Sequence, residues 1–195
     1  SADDEPRERR AGMSRVIILN GVGSAGKSSL ARALQNVARD VFLHVPMDSF
    51  LDMMPAATLD RAEGLTFETH QDADGRPVIV VRAGPALKRA MRGMRHAVKA
   101  MADQGNDLIV DEVVLGDEWA DYDRLLVDHQ VTKVGVMAPL DVLEAREKAR
   151  GDREIGLARG QFDVVHRGAA YDLTVDTSKG SPEACAGIIK ARLGL

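Results

Sequence analysis

Val16-Ile17-Ile18-Leu19-Asn20-Gly21-Val22-Gly23-Ser24-Ala25-Gly26-Lys27-Ser28-Ser29-Leu30 decides how the rest of this 195-residue chain is read. Gly21, Gly26, Lys27 and Ser28 fit the GxxxxGK[ST] pattern. A loop that wraps phosphate must turn its N–H groups inward and let them approach closely, which favours glycine. Lys27 would supply a point charge to the β/γ-phosphates and the Ser28 hydroxyl a ligand for Mg²⁺. The context agrees: a β-branched run, Val16 to Leu19, precedes the loop, and Leu30, Ala33, Leu34 and Val37 follow at helical spacing. A turn that merely joined strand to helix would not need Lys27 and Ser28 together. Gly21, Val22, Gly23, Ser24, Ala25, Gly26, Lys27, Ser28 and Ser29 are therefore the phosphate-binding candidates.

Outward from this loop, strand and helix alternate. Val41 to Val45 reads as a second buried strand, and Met47-Asp48-Ser49-Phe50 follows Pro46. Asp48 thus falls at a strand's C-terminal end, the edge where ligands gather in open α/β sheets. An acid at that position is also a common helix cap. Leu65 to His70, the turn Asp72 to Gly75, and Val78 to Val81 predict a hairpin inserted beside the main sheet. Pro85 opens a long helix with Leu87, Ala90, Met91, Met94, Ala97, Val98 and Met101 on one stripe, and Gly105 stops it. Its methionines are expected in the core. Arg82, Lys88, Arg89, Arg92, Arg95 and Lys99 are expected on a positive solvated face, with an anionic partner as the second reading.

Leu108-Ile109-Val110-Asp111-Glu112 is an apolar strand ending in two acids, which resembles a Walker B element, so Asp111 joins Ser28 as a candidate Mg²⁺ ligand. A helix over Glu118 to His129, a strand over Val131 to Ala138, a helix over Pro139 to Arg150, a fifth strand over Tyr171 to Asp176 and a last helix over Pro182 to Leu193 complete the pattern. Between the last two helices lies Arg150-Gly151-Asp152-Arg153, then Gly156, Arg159 and Gly160. Arginine interspersed with glycine predicts a lid whose guanidinium groups meet the transferring phosphoryl, Arg150 and Arg153 first; a solvated hinge is the plainer alternative. The fold class expected is α/β: a three-layer P-loop domain with a five-stranded parallel sheet, an inserted hairpin and an Arg-rich lid.

Composition bounds the rest. At 45% hydrophobic residues the chain can build one domain, taken as residues 13–195. Ser1 to Gly12, polar and crowded with charge, is expected to be a disordered extension or an expression remnant. A net charge of −4 and a pI of about 5.7 give no global field for nucleic acid or anionic membrane. The lone Cys185 cannot close an internal disulfide, and no apolar run approaches the ~20 residues of a membrane span. A cytoplasmic location is expected, with a small-molecule partner, no nucleic acid or membrane partner, and room for a homo-oligomer.

The chain resembles chloramphenicol phosphotransferase and its relatives, small ATP-dependent kinases with an adenylate-kinase-like fold. The matching segments are IILNGVGSAGKSSLARALQ, MDSF, DLIVDEVVLG, AREKARGDREIGLARGQFDVVH and YDLTVDTS, in the family's order from about Arg15 onward. The ARGDR lid followed by a QxxxVH helix is the most particular of them. The resemblance implies ATP, Mg²⁺ and phosphoryl transfer to a small molecule's hydroxyl, with chloramphenicol or another antibiotic as acceptor. It also implies that Asp48 is the general base and that Arg146 and Arg150 contact the nucleotide. The chain departs from the family's pattern at His44 to Met47 and over Met53 to Val81, residues that by the resemblance would shape the acceptor pocket, and at Glu112, where a second aspartate is expected. The competing readings are a kinase of a sugar, nucleoside or nucleotide sugar, a nucleotide-binding protein without catalysis, and a GTP- or ATP-binding switch. Against a GTP switch, none of Asn20, Asn36 or Asn106 begins an NKxD-type motif.

Overall fold

A computed structural model describes residues 12–151 and 154–195. The charged N-terminal stretch up to residue 11 and Arg153 lie outside the described residues.

The elements in chain order are β1 (Arg15–Asn20), α1 (Lys27–Val37), β2 (Phe42–Pro46), α2 (Met47–Leu51), β3 (Leu65–Gln71), β4 (Pro77–Ala83), α3 (Pro85–Asp103), β5 (Asp107–Glu112), α4 (Glu118–Leu125), β6 (Gln130–Met137), α5 (Leu140–Arg150), α6 (Leu157–Phe162), β7 (Leu173–Asp176) and α7 (Pro182–Leu193). Five strands form one sheet in the order β2-β5-β1-β6-β7, every neighbouring pair parallel, while β3 and β4 form a separate antiparallel hairpin. This is the P-loop α/β fold expected from the alternation of strand and helix.

Alternation along the strands makes the two core layers. On β1, Ile17 and Leu19 face the layer that includes Leu30, Leu34, Leu143 and Ile189, whereas Val16 and Ile18 face Met94, Val98, Trp119 and Tyr122. A strand apolar on both faces can only be central, and β1 has β5 on one side and β6 on the other. The register aligns Pro46, Asp111 and Leu19 across β2, β5 and β1, so the residues just beyond these strands, Asp48 and Gly21 among them, emerge at one edge.

Several boundaries shift. The helix expected over Glu118 to His129 ends at Leu125. Leu126 then turns in, and His129 reaches the start of β1, where its Nδ1 accepts from the Ser14 N–H at 3.3 Å. The strand expected from Tyr171 begins at Leu173, because Tyr171 is turned toward Asn20 and His166. The larger correction is Arg95. Expected on the solvated basic face, it is only 3% exposed, and its guanidinium pairs with Glu112 at 2.6 Å, Glu118 at 3.1 Å and Asp121 at 3.2 Å. Along α3 it lies one residue from Met94 and three from Val98, so it points inward with the apolar stripe. Lys88, Arg89 and Arg92 are exposed as expected. No helix among the described residues is long and apolar enough to cross a membrane.

Candidate active site

The loop between β1 and α1 has the backbone its sequence calls for. Gly26 has φ 87°, a left-handed conformation that disfavours a side chain, and a Cβ on Gly21 would come within 2.5 Å of the Val136 carbonyl oxygen on β6. A lysine that reaches phosphate would be expected to extend into solvent, but Lys27 departs from this: it is 5% exposed, and its Nζ donates to the carbonyls of Gly21 at 2.8 Å and Val22 at 3.0 Å. A buried ammonium needs acceptors, and its own loop provides the nearest ones. Ser24 Oγ is buried with no hydrogen-bond partner among the described residues, and Ser24 lines the cleft above the loop. An orphaned hydroxyl beside inward backbone donors suits a phosphate oxygen.

The two acids that end β5 have different environments. Asp111 Oδ2 accepts from Ser28 Oγ at 2.6 Å and lies 3.3 Å from His44 Nε2. Burial alone would push the Asp111 carboxyl up, but His44, the Lys27 charge and the Ser28 hydroxyl together hold it below the ordinary carboxylate value. A carboxylate oxygen and a hydroxyl in contact form a hard oxygen set of the kind that holds Mg²⁺ together with waters and substrate phosphates, so Ser28 and Asp111 fit that ion. Among the described residues no cluster of three or more His, Cys, Asp or Glu could hold a metal ion. Glu112 is committed elsewhere: it is 1% exposed and accepts from Arg95 Nη2 and the Tyr122 hydroxyl. Burial pushes its carboxyl up even against Arg95 and the Tyr122 hydroxyl, and the nearby Glu118 charge adds to the rise.

Asp48 lies in the first turn of α2 and is exposed to the cleft. The capping alternative is not what forms: Pro46 occupies the cap position, and no side chain caps the helix.

One cleft of about 1120 Å³ unites these residues. Its phosphate end is lined by the loop, Arg146, Arg150, Thr177 and Gly180. Arg146 is held in place, donating to Thr177 Oγ1 at 2.8 Å and to the Thr177 carbonyl at 2.7 Å, while Thr177 Oγ1 donates to the Ala25 carbonyl at 2.8 Å. Arg150, at the end of α5, is exposed and faces the same space. Arg159 and Gly160 of the expected lid are engaged with the hairpin and α5. Arg159 pairs with Asp72 at 3.1 Å and also with Glu144, and a Cβ on Gly160 would fall 1.8 Å from the Ile79 carbonyl oxygen. That glycine serves close packing against β4. Glu147, 2% exposed, anchors the segment by accepting from the N–H groups of Gly156 at 2.9 Å and Ala158 at 2.7 Å.

The QxxxVH segment ties the C-terminal part of the chain to the loop, although α6 ends at Phe162 and the motif's second half lies in the turns beyond it. Gln161 Oε1 accepts from the Gly23 N–H at 2.8 Å. The Val165 carbonyl accepts from Asn20 Nδ2 at 3.0 Å, and His166 Nδ1 lies 2.7 Å from the Tyr171 hydroxyl. Burial, with Lys27 nearby, keeps the His166 pKa low and its ring neutral.

The opposite end of the cleft is apolar. Leu65 and Phe67 of β3, Val81 and Ala83 of β4, Leu87 and Met91 of α3, and Met47, Leu51 and Leu115 line it, with Lys88 and Glu118 as the polar exceptions. The resemblance implies that Met53 to Val81 shapes the acceptor pocket, and Leu65, Phe67 and Val81 of that stretch line the cleft. Met91, in the core as expected, and Lys88, exposed as expected, border it as well, which sequence reasoning did not show. The signal available was the hairpin's own alternation, which puts Leu65 and Phe67 on one face and Thr66 and Glu68 on the other.

A parallel sheet in this order, a glycine-rich loop between its central strand and a helix, and a Ser28–Asp111 pair define a P-loop phosphotransferase. The chain belongs to the chloramphenicol phosphotransferase-like protein family, whose sequence pattern matches residues 14–194. A curated relative from Mycobacterium tuberculosis, named as a candidate O-phosphotransferase, is 37% identical over 175 residues, covering 86% of this chain and 78% of its own. Among solved structures, a sugar kinase from Janibacter sp. HTCC2649 matches with a TM-score of 0.62 at 17% identity over 93% of this chain and 95% of its own. The Mycobacterium tuberculosis APS kinase CysC, solved with AMPPNP and APS, matches with a TM-score of 0.62 at 16% identity over 94% of this chain and 99% of its own. At these identities the two structures speak to the fold alone.

Proposed function

We propose that this protein transfers the γ-phosphoryl group of ATP to a hydroxyl of a small molecule whose body is largely apolar. The observation that carries the reading is the asymmetry of this cleft: phosphate-binding groups at one end, nine apolar side chains at the other, and Asp48 at the strand edge they share. The Asp48 carboxylate accepts the hydroxyl proton as the oxygen bonds to phosphorus, and ADP leaves with the electron pair of the broken bond. Lys27 exchanges its loop carbonyls for phosphate oxygens, and Arg150 with Arg146 offsets charge on the triphosphate. Ser28 and Asp111 would hold Mg²⁺, which supplies charge neutralisation between the β- and γ-phosphates.

Sugars and nucleosides are bound through many hydrogen bonds, and the apolar lobe offers few groups to make them; leaving acceptor hydroxyls unpaired there is costly. Chloramphenicol, an aromatic alcohol, suits such a lobe and is the first acceptor to try. Incubation with Mg-ATP and a panel of hydroxylated antibiotics, sugars and nucleosides tests the reading. The expected result is acceptor-dependent ADP and a product one phosphoryl group heavier, confined to apolar-bodied alcohols. ADP formed equally without any acceptor would instead indicate a hydrolysing switch, and phosphorylation of polyols alone would overturn the acceptor class.

A further inference from the structure

The short helix α6 touches both ends of the cleft. On the phosphate side, Gln161 Oε1 occupies the Gly23 N–H, a donor of the phosphate-binding loop, at 2.8 Å. On the acceptor side, one residue away, the Gly160 backbone packs directly on the Ile79 carbonyl of β4. The Gly156 carbonyl, at the foot of α6, accepts from the Ile79 N–H at 2.9 Å, and Arg159 reaches Asp72 in the hairpin turn at 3.1 Å. Ile79 is 3% exposed, on the hairpin face that also carries Val81 into the acceptor lobe. The hairpin otherwise forms a sheet of its own, separate from the five-stranded sheet.

We propose that α6 is the element through which phosphate binding orders the acceptor wall, with Gln161 and Arg159 as positioning residues. The Gly23 N–H has one proton to give, so a phosphate oxygen that competes for it must shift Gln161, and α6 cannot move without carrying the Ile79 and Asp72 contacts with it. A nucleotide that settles α6 therefore settles the hairpin. By linkage, an acceptor held by the hairpin tightens nucleotide binding by the same factor. The proposal rests on the reading of the cleft as a nucleotide and acceptor site, but its test needs no acceptor.

Amide hydrogen exchange over residues 65–83 is measured without and with saturating Mg-AMPPNP, and AMPPNP affinity is measured separately by calorimetry. In the wild type the nucleotide should slow hairpin exchange about tenfold, within the usual range of coupling between sites. Gln161→Met, equal in length but without the acceptor, should still bind AMPPNP and lose most of that protection. Asp72→Asn, which keeps an oxygen for the turn and removes the charge facing Arg159, should leave AMPPNP affinity unchanged and weaken protection to about half. Unaltered hairpin exchange in nucleotide-saturated wild type, or full protection in both variants, overturns the proposal. It also falls if both variants raise exchange by the same factor with and without nucleotide, since the contacts are then only structural. Failure of the wild type to bind AMPPNP overturns the nucleotide reading and the proposal with it.

Discussion

The phosphate end and the acceptor end of the cleft are held in different ways. The phosphate end hangs from the central strands of a five-stranded sheet: the loop leaves β1, Asp111 closes the adjacent β5, and Thr177 after β7 clamps both the loop and Arg146. The acceptor end borrows one wall from a two-stranded hairpin outside that sheet. Backbone donors that must meet a triphosphate need fixed positions, whereas an apolar wall works wherever it can close over a ligand. The phosphate end should therefore respond to substitution in catalysis, and the acceptor end in affinity and selectivity.

The largest effect should come from Lys27→Ala. Removing the charge that faces the triphosphate should reduce turnover by ~10³-fold or more and weaken AMPPNP binding. The variant should still fold, at a cost of about 1–3 kcal/mol for the buried Gly21 carbonyl left without the ammonium, while the Val22 carbonyl keeps the Ala25 N–H. Calorimetry and thermal melting separate the two. Wild-type AMPPNP affinity in this variant would move the phosphate site away from the loop.

Asp48→Asn comes next and probes the junction of the two ends. Asparagine keeps the size of the side chain and removes its basicity, so kcat should fall by ~10² to 10⁴ while AMPPNP affinity and melting temperature hold. The cap position of α2 belongs to Pro46, so the change removes no helix cap. A variant with retained turnover and a lowered melting temperature would return Asp48 to a structural role. Asp111 and Glu112 are poor replacements, one held by Ser28 and His44 and the other by Arg95 and Tyr122.

The contrast also explains what was legible in the sequence. The phosphate end is local: Gly21, Gly26, Lys27 and Ser28 answer to one turn's backbone, and an apolar run before Asp111 announces a strand end. The strand alternation followed from periodicity alone, as did the hairpin. Arg95 was misplaced because a helical wheel sets the charges of α3 opposite its apolar stripe, and only the fold brings Glu112, Glu118 and Asp121 around it. His44 beside Asp111, and Gln161 on Gly23 across 138 residues, likewise depend on which strands and turns become neighbours. The resemblance located the acceptor pocket near Met53 to Val81 but not which side chains line it, because Leu65, Phe67, Leu87 and Met91 are residues a core would also use, and composition cannot tell a lined cavity from a filled one.

The smallest effect expected is also the most direct measure of that wall. Phe67 of β3 pairs across the hairpin with Val81; both line the cleft, and Phe67 is 37% exposed, so it covers the lobe more than it fills the core. On the opposite face Glu68 pairs with Arg82 at 3.0 Å, both outside the cleft. Phe67→Ser removes apolar area that an acceptor would bury, a loss of about 1.5–3 kcal/mol if the ring is fully covered in the complex. For an apolar-bodied acceptor this should appear as a rise in KM on the order of 10-fold or more, with little change in kcat once the acceptor is saturating and none in AMPPNP affinity. Arg82→Ala, one residue from Val81 on the other face, is the matched control and should leave KM alone, since a solvent-screened ion pair contributes little to stability. Equal effects from the two substitutions would mean that the hairpin acts only through its stability. An unchanged KM in Phe67→Ser would mean that the acceptor sits against α2 and α3 instead, and the hairpin would cease to be a wall of the acceptor site.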